Sequence, residues 1–157
     1  MKIGVLSDTH DNLPKIEKAV KLFNQKKVGF VLHAGDFVAP FTIEKLKKLS
    51  CEWLGVFGNN DGEKKGLAAK SEGRIKKAPL RIRLSGRKIT VVHDRIILDF
   101  KKEKADLIIF GHSHQAEITR LNGKLILNPG ECSGWLSGNS SVAVVDLQTL
   151  EAQIHKV

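Results

Sequence analysis

Cysteine is scarce. Cys51 and Cys132 are the only two in 157 residues, and one pair does not build a disulfide framework in a domain of this size. Cys51, between a lysine-rich helix and an apolar strand, reads as a buried thiol, and Cys132, in a glycine-bearing stretch, as a loop thiol. Tyrosine is absent and aromatics are 6% of the chain. No stretch interleaves aromatics with basic residues, which argues against a dedicated nucleic-acid groove. No apolar run approaches the roughly 18 residues of a membrane span. The first apolar run, Ile3 to Leu6, is too short for a signal peptide and turns acidic at Asp8. The expected location is therefore the cytoplasm, with no membrane partner.

What is present fits one globular domain, residues 1–157, with 41% hydrophobic and 27% charged residues. Lysine and arginine number 26 against 17 acidic residues, a net charge of +9. Such a balance implies either an acidic partner or a solvated basic surface. The basic residues are spread along the chain, from Lys45 to Lys104, which favours the solvated surface.

Lys2 to Ser7 predicts a first strand. Asn12 and Pro14 open a helix whose apolar positions are Leu13, Ile16, Val20 and Phe23. Val28 to Leu32 is a second strand, parallel to the first by the handedness of crossovers. Pro40 opens a second helix through Leu49, and Trp53 to Phe57 is a third strand. Glu63 to Gly73 reads as a short helix or ordered loop. Leu80 to Leu84 and Lys88 to Val92 form a hairpin about Ser85-Gly86, and Ile96 to Lys104 is expected to be one short helix. Leu107 to Phe110 is a further strand. Asn122-Gly123 joins another hairpin, Glu117 to Leu121 with Lys124 to Leu127. Ser141 to Leu147 and Glu151 to Val157 close the chain. The pattern is βαβαβ followed by a mostly β half. It implies two packed sheets with helices outside, the alternative being a three-layer fold on one sheet.

Polar residues with ligand chemistry recur just past strand ends. These are Asp8 and His10, then Asp36, then Asn59 and Asp61, then His93, then His112 and His114. Sites in open α/β sheets form beyond the carboxyl ends of the strands. Carboxylate and imidazole together suit manganese, iron, zinc, cobalt or nickel. The set exceeds the needs of one ion, and two-metal sites serve in-line displacement at phosphorus. Asp36, alone on its turn, is the natural bridge. Singly, each residue has a plainer explanation. Asp11 reads as a helix N-terminal acid, His33 as a strand-end histidine bonded to backbone, His155 as a surface residue.

Asp8-x-His10, Gly35-Asp36, Gly58-Asn59-Asn60-Asp61, His93 and Gly111-His112-Ser113-His114 together resemble the five-block signature of calcineurin-like metallophosphoesterases. Ser7 to Leu13 and Asn128-Pro129-Gly130 are similar to the small prokaryotic phosphodiesterase branch. The resemblance implies an α/β fold, a four-layer αββα sandwich of two mixed sheets flanked by helices. It implies that Asp8, His10, Asp36 and His114 hold one divalent ion and Asp36, Asn59, His93 and His112 a second. Manganese is the first candidate, with nickel, cobalt, iron and zinc behind it. A hydroxide activated by both ions would hydrolyse a small phosphodiester. Asn60 and Asp61 would serve the reaction, Asp61 by orienting its loop or a ligand. Two positions depart from the pattern. Many relatives carry histidine where this chain has Asn60, and an amide cannot act as a general acid. Asp94 and Arg95 replace the glycine and histidine that often follow His93. The competing roles are a protein-binding scaffold of the same fold, as in the retromer subunit, and a nuclease. Exposed residues of the Arg81–Val92 hairpin or the final strands leave a homo-oligomer open.

Overall fold

The computed structural model describes residues 1–157. Eleven strands form two sheets. The first contains β1 (Lys2–Leu6), β2 (Phe30–His33), β3 (Trp53–Val56), β4 (Ile75–Lys76), β10 (Ser141–Asp146) and β11 (Glu151–Lys156), in the order β11-β10-β1-β2-β3-β4. The second contains β5 (Leu80–Leu84), β6 (Arg87–Val91), β7 (Leu107–Ile109), β8 (Ala116–Leu121) and β9 (Lys124–Pro129), in the order β5-β6-β7-β9-β8. The single-sheet alternative is excluded.

The sheets pack face to face. Ile3, Val5, Leu32 and Val56 of one meet Ile89, Val91, Leu107, Ile109, Leu125 and Leu127 of the other. Each fully buried aliphatic side chain of this kind contributes about 1.5–3 kcal/mol. The other face of the first sheet is covered by α1 (Leu13–Gln25), α2 (Ile43–Leu46) and α3 (Lys64–Lys70). Ile16, Ala19, Val20 and Phe23 of α1 lie on Leu6, Val31 and Trp53. The central strands are thus covered on both sides, which is why they read as continuous apolar runs rather than alternating ones. No helix is long and apolar enough to cross a membrane.

The outer face of the second sheet carries a layer without an α-helix. Phe100 and Ala105 pack on Val92, Ile108, Phe110 and Ile126. The helix expected over Ile96 to Lys104 does not form, and the segment has one 3-10 turn, Arg95–Ile97. The Asp99 carboxylate accepts from the N–H groups of Lys101 and Lys102, a local turn that competes with helix. The helix expected from Pro40 to Leu49 is likewise a 3-10 turn, Pro40–Thr42, followed by the four residues of α2.

The site is placed by six parallel strands. β1, β2 and β3 run parallel in the first sheet, and β6, β7 and β9 run parallel in the second. The turns leaving their carboxyl ends meet at one edge of the sandwich.

Candidate metal centre

The turn after β1 brings Asp8 and His10, the turn after β2 brings Asp36, and the turn after β3 brings Asn59. From the second sheet, β6 delivers His93 and β7 delivers His112 and His114. All seven converge. Two glycines permit the close approach. A Cβ on Gly58 would overlap the Asp36 carboxylate, and one on Gly111 would overlap the Ser7 hydroxyl.

The hydrogen bonds fix which atoms face inward. His93 Nδ1 lies 2.8 Å from the Ala34 carbonyl oxygen. A carbonyl only accepts, so Nδ1 carries the proton and donates. Neutral His93 then presents a bare lone pair at Nε2. That lone pair faces Asn59 Oδ1 at 2.8 Å and Asp36 Oδ2 at 3.4 Å. His112 Nδ1 lies 2.9 Å from the same Asn59 oxygen.

The other side repeats this logic. His114 Nδ1 donates to Glu131 Oε2 at 2.9 Å, which turns its Nε2 toward Asp8 Oδ1 at 3.5 Å. His10 Nε2 lies 3.9 Å from Asp8 Oδ1 and 3.5 Å from Asp36 Oδ2. Asp36 Oδ2 therefore faces one histidine from each side, His10 and His93. The ligand atoms of Asp8, His10 and His114 lie within 4.8 Å of one another, as do those of Asp8, Asp36 and His93.

Electron pairs aimed at one another repel unless a proton or a cation lies between them. The buried side-chain atoms without a hydrogen-bond partner are Asp8 Oδ1, His10 Nε2 and Ser7 Oγ. Two of them are candidate ligand atoms, and unpaired buried polar groups of this kind are costly. A divalent cation would satisfy them, so the residues fit such an ion. The charges agree. Burial pushes the Asp8 carboxyl up from its usual range. Burial would also raise Asp36, but hydrogen bonding and charge from His93, with hydrogen bonds from Asn60, outweigh it and hold that carboxyl well down. For His93, burial is opposed by Asp36, and the net result is a raised pKa.

The supporting residues are as definite. Asp61 is buried, and its carboxylate accepts from the N–H groups of Asp36, Gly58 and Val38. It ties the turns after β2 and β3 together. The Asn60 amide donates to Asp36 Oδ2 at 2.7 Å, and its backbone N–H donates to Oδ1 at 2.8 Å. The His112 N–H holds Asp8 Oδ2 at 3.2 Å, leaving Oδ1 for the cluster. Buried His33 accepts from the Gly35 N–H through Nδ1, at 3.1 Å. Its Nε2 then carries the proton and donates to Thr9 Oγ1, at 3.1 Å. Burial holds its pKa well below the usual value.

Five of the candidate donors have left-handed backbone: Asp8 (φ 52°), His10 (37°), Asp36 (61°), His112 (66°) and His114 (59°). Such values are uncommon outside glycine. They are held by backbone bonds between turns, among them Asp8 N–H to Gly35, Thr9 and His10 N–H to Asp36, and Gly111 N–H to His93.

Several sequence readings are corrected. Asp11 does not simply cap a helix: its Oδ1 accepts from the Ala39 N–H and the Thr42 hydroxyl. Cys132, not Cys51, is the fully buried thiol, and burial pushes it up to about 12. Arg95, by contrast, is an exposed arginine, lying over the rings of Phe100 and Phe110 and paired with Glu117. Glu131 was not anticipated. It follows β9, read from sequence as a hairpin arm only. Its parallel pairing with β7 makes its end a sixth contributor, and Asn128-Pro129-Gly130 was the available signal.

A model of the calcineurin-like phosphoesterase superfamily domain matches residues 1–150. A phosphodiesterase of Methanocaldococcus jannaschii is 36% identical over 159 residues, 96% of each chain. A solved archaeal phosphodiesterase superposes with a TM-score of 0.92 at 33% identity, over 100% of both chains. A phosphoesterase from E. coli shares the fold, with a TM-score of 0.74 at 20% identity, over 100% of this chain and 98% of that one. With a family model matching residues 1–150 and a 36% identical relative covered over 96% of each chain, the chain belongs to the calcineurin-like phosphoesterase superfamily.

Proposed function

We propose that this protein is a phosphodiesterase for small phosphodiesters that works with two divalent cations. The observation that carries the reading is the position of Asp36 Oδ2, which faces His10 Nε2 at 3.5 Å on one side and His93 Nε2 at 3.4 Å on the other. Asp8, His10, Asp36 and His114 would hold one ion. Asp36, Asn59, His93 and His112 would hold the second. Oxygen with imidazole nitrogen, and no thiolate, suits manganese, iron, cobalt, nickel or zinc, and manganese is the ion taken first to the test. Bound there, two divalent ions supply Lewis acidity toward phosphoryl oxygens and lower the pKa of water.

The chain's own groups set the geometry. Ala34 and Glu131 fix the tautomers of His93 and His114, so each presents Nε2 inward. Asp61 holds the Asp36 and Gly58 turns at a common separation. Asn60 places its amide on Asp36 and offers no proton at neutral pH. No titratable side chain is thereby assigned to the leaving oxygen, so substrates with acidic leaving groups, such as aryl esters, are the ones turned over well.

The test uses purified protein treated with a chelator and dialysed. It should be inactive on an aryl phosphodiester, and manganese should restore activity with two ions per chain by elemental analysis. Asp36→Ala should lose both ions and the activity together. Full activity without metal, or none with manganese, nickel, cobalt, iron or zinc, would overturn the reading.

A further inference from the structure

The segment after β9 does more than orient His114. Glu131 accepts from the Leu136 N–H at 3.1 Å and from the Ser137 N–H. Asn12 donates to the Ser133 carbonyl at 2.8 Å. The loop is thus anchored from both sides, yet it holds two large apolar side chains in water. Trp135 is 65% exposed and Leu136 77%. Folding does not require them there, because neither belongs to a core cluster.

The indole is also tethered. Its Nε1 donates to the His10 carbonyl oxygen at 3.2 Å. His10 is a candidate metal ligand, and its ring stacks with that of His114 at 5.2 Å. One residue therefore separates an exposed aromatic ring from the cluster where a phosphodiester would be bound. A ring anchored by its only polar atom keeps its apolar face for another planar group. We propose that Trp135, flanked by Leu136, is a subsite for a nucleobase carried on the non-leaving side of the phosphodiester. The proposal rests on the phosphodiesterase reading and narrows its substrate class to nucleotide-like diesters. Base stacking on an aromatic side chain tolerates sequence, because every base has a π face.

The kinetic test compares two manganese-dependent substrates with one leaving group: the p-nitrophenyl ester of thymidine monophosphate and methyl p-nitrophenyl phosphate. In Trp135→Ala the ratio of kcat/KM between them, thymidine over methyl, should fall about tenfold, ~1.4 kcal/mol, mostly through KM. Trp135→Phe should recover most of the ratio. A binding test needs no turnover. Trp53 and Trp135 are the only tryptophans, so Trp53→Phe leaves Trp135 as sole reporter. Adenosine monophosphate should quench it and bind about tenfold tighter than ribose phosphate. If Trp53→Phe does not fold, wild type titrated beside Trp135→Phe isolates the same signal.

An unchanged ratio, or equal losses on both substrates, overturns the subsite and leaves Trp135 a clamp on the His10 turn. A change of association state on replacing Trp135, with the ratio intact, overturns it in favour of an interface between copies. Absence of turnover of both esters by wild type would instead count against the phosphodiesterase reading, and the fluorescence titration would still decide the subsite.

Discussion

Replacing Glu131 by glutamine tests whether a side chain that touches no substrate sets the site. Glu131 is fully buried. Its carboxylate receives His114 Nδ1 at 2.9 Å, Ser133 Oγ at 2.8 Å, Leu136 N–H at 3.1 Å and Ser137 N–H. Burial would push the acid up from 4.5, but these donors, Ser137 foremost, hold it at about 2. A folded-state pKa depressed by that much corresponds to about 3 kcal/mol. Bond counting agrees. Four hydrogen bonds to a charged acceptor each exceed their neutral counterparts by about 1 kcal/mol. Glutamine keeps the shape but loses the charge and turns an amide N–H toward donors. Because the folded pKa lies below the unfolded one, the stabilisation is complete above about 4.5 and disappears as the pH falls toward 2. Urea unfolding of metal-free wild type and Glu131→Gln should therefore differ by about 3 kcal/mol at neutral pH, the gap closing through that acid window. Manganese affinity should fall by about 10–100-fold, because the His114 ring loses its anchor. A stability gap that is absent at neutral pH, or that does not narrow in acid, would refute the assignment.

Two further substitutions probe the proton and the backbone. Asn60→His should lower the preference for aryl over alkyl leaving groups by at least ~10-fold in kcat, since a positioned general acid is worth about 10²–10⁴. An unchanged preference would show that proton delivery is not what the amide lacks. Gly111→Ala should destabilise the metal-free protein by about 1–3 kcal/mol in urea unfolding, because its Cβ would overlap the Ser7 hydroxyl and come within 2.7 Å of Asp8 Oδ2. Unaltered stability would mean that the turn can move aside.

The parts legible in the sequence were those carried by local pattern. Apolar runs ending in Asp8, Asp36, Asn59, His93 and His112 mark the strands along the chain, since a strand buried on both faces leaves a continuous signal. The Asn122-Gly123 hairpin was equally local. The parts that escaped depend on tertiary pairing. β4 is two residues long, Ile75–Lys76, and exists through its pairing with β3, so no window of sequence reports it. The helix expected near Lys101 loses to the Asp99 carboxylate, a competition invisible to composition. Glu131 escaped because its meaning lies in the parallel register of β9 on β7, Leu125 against Leu107 through Leu127 against Ile109. That register can be recognised only once the sheet order is known.

The strain in the site explains why so much of the fold serves it. A residue held in an unfavoured backbone region costs of order 1–3 kcal/mol, and five donors share that condition. Their sum is comparable to the whole stability of a domain, about 5–15 kcal/mol. It persists because each turn is pinned by another: Asp8 by Gly35 and the His112 N–H, Asp36 by Asp61 and Asn60, the 131–137 loop by Asn12. None of these bonds is made within a single turn of the site. The left-handed donors are thus stable only as a group, after both sheets have closed, and the same closure aims their lone pairs at one another. Repulsion among those lone pairs is what a cation relieves, so ligand binding and the locking of the two sheets draw on one set of contacts. That coupling gives Asp61, Glu131 and His33, which face backbone and side chains rather than substrate, as much hold on the chemistry as the donors they support.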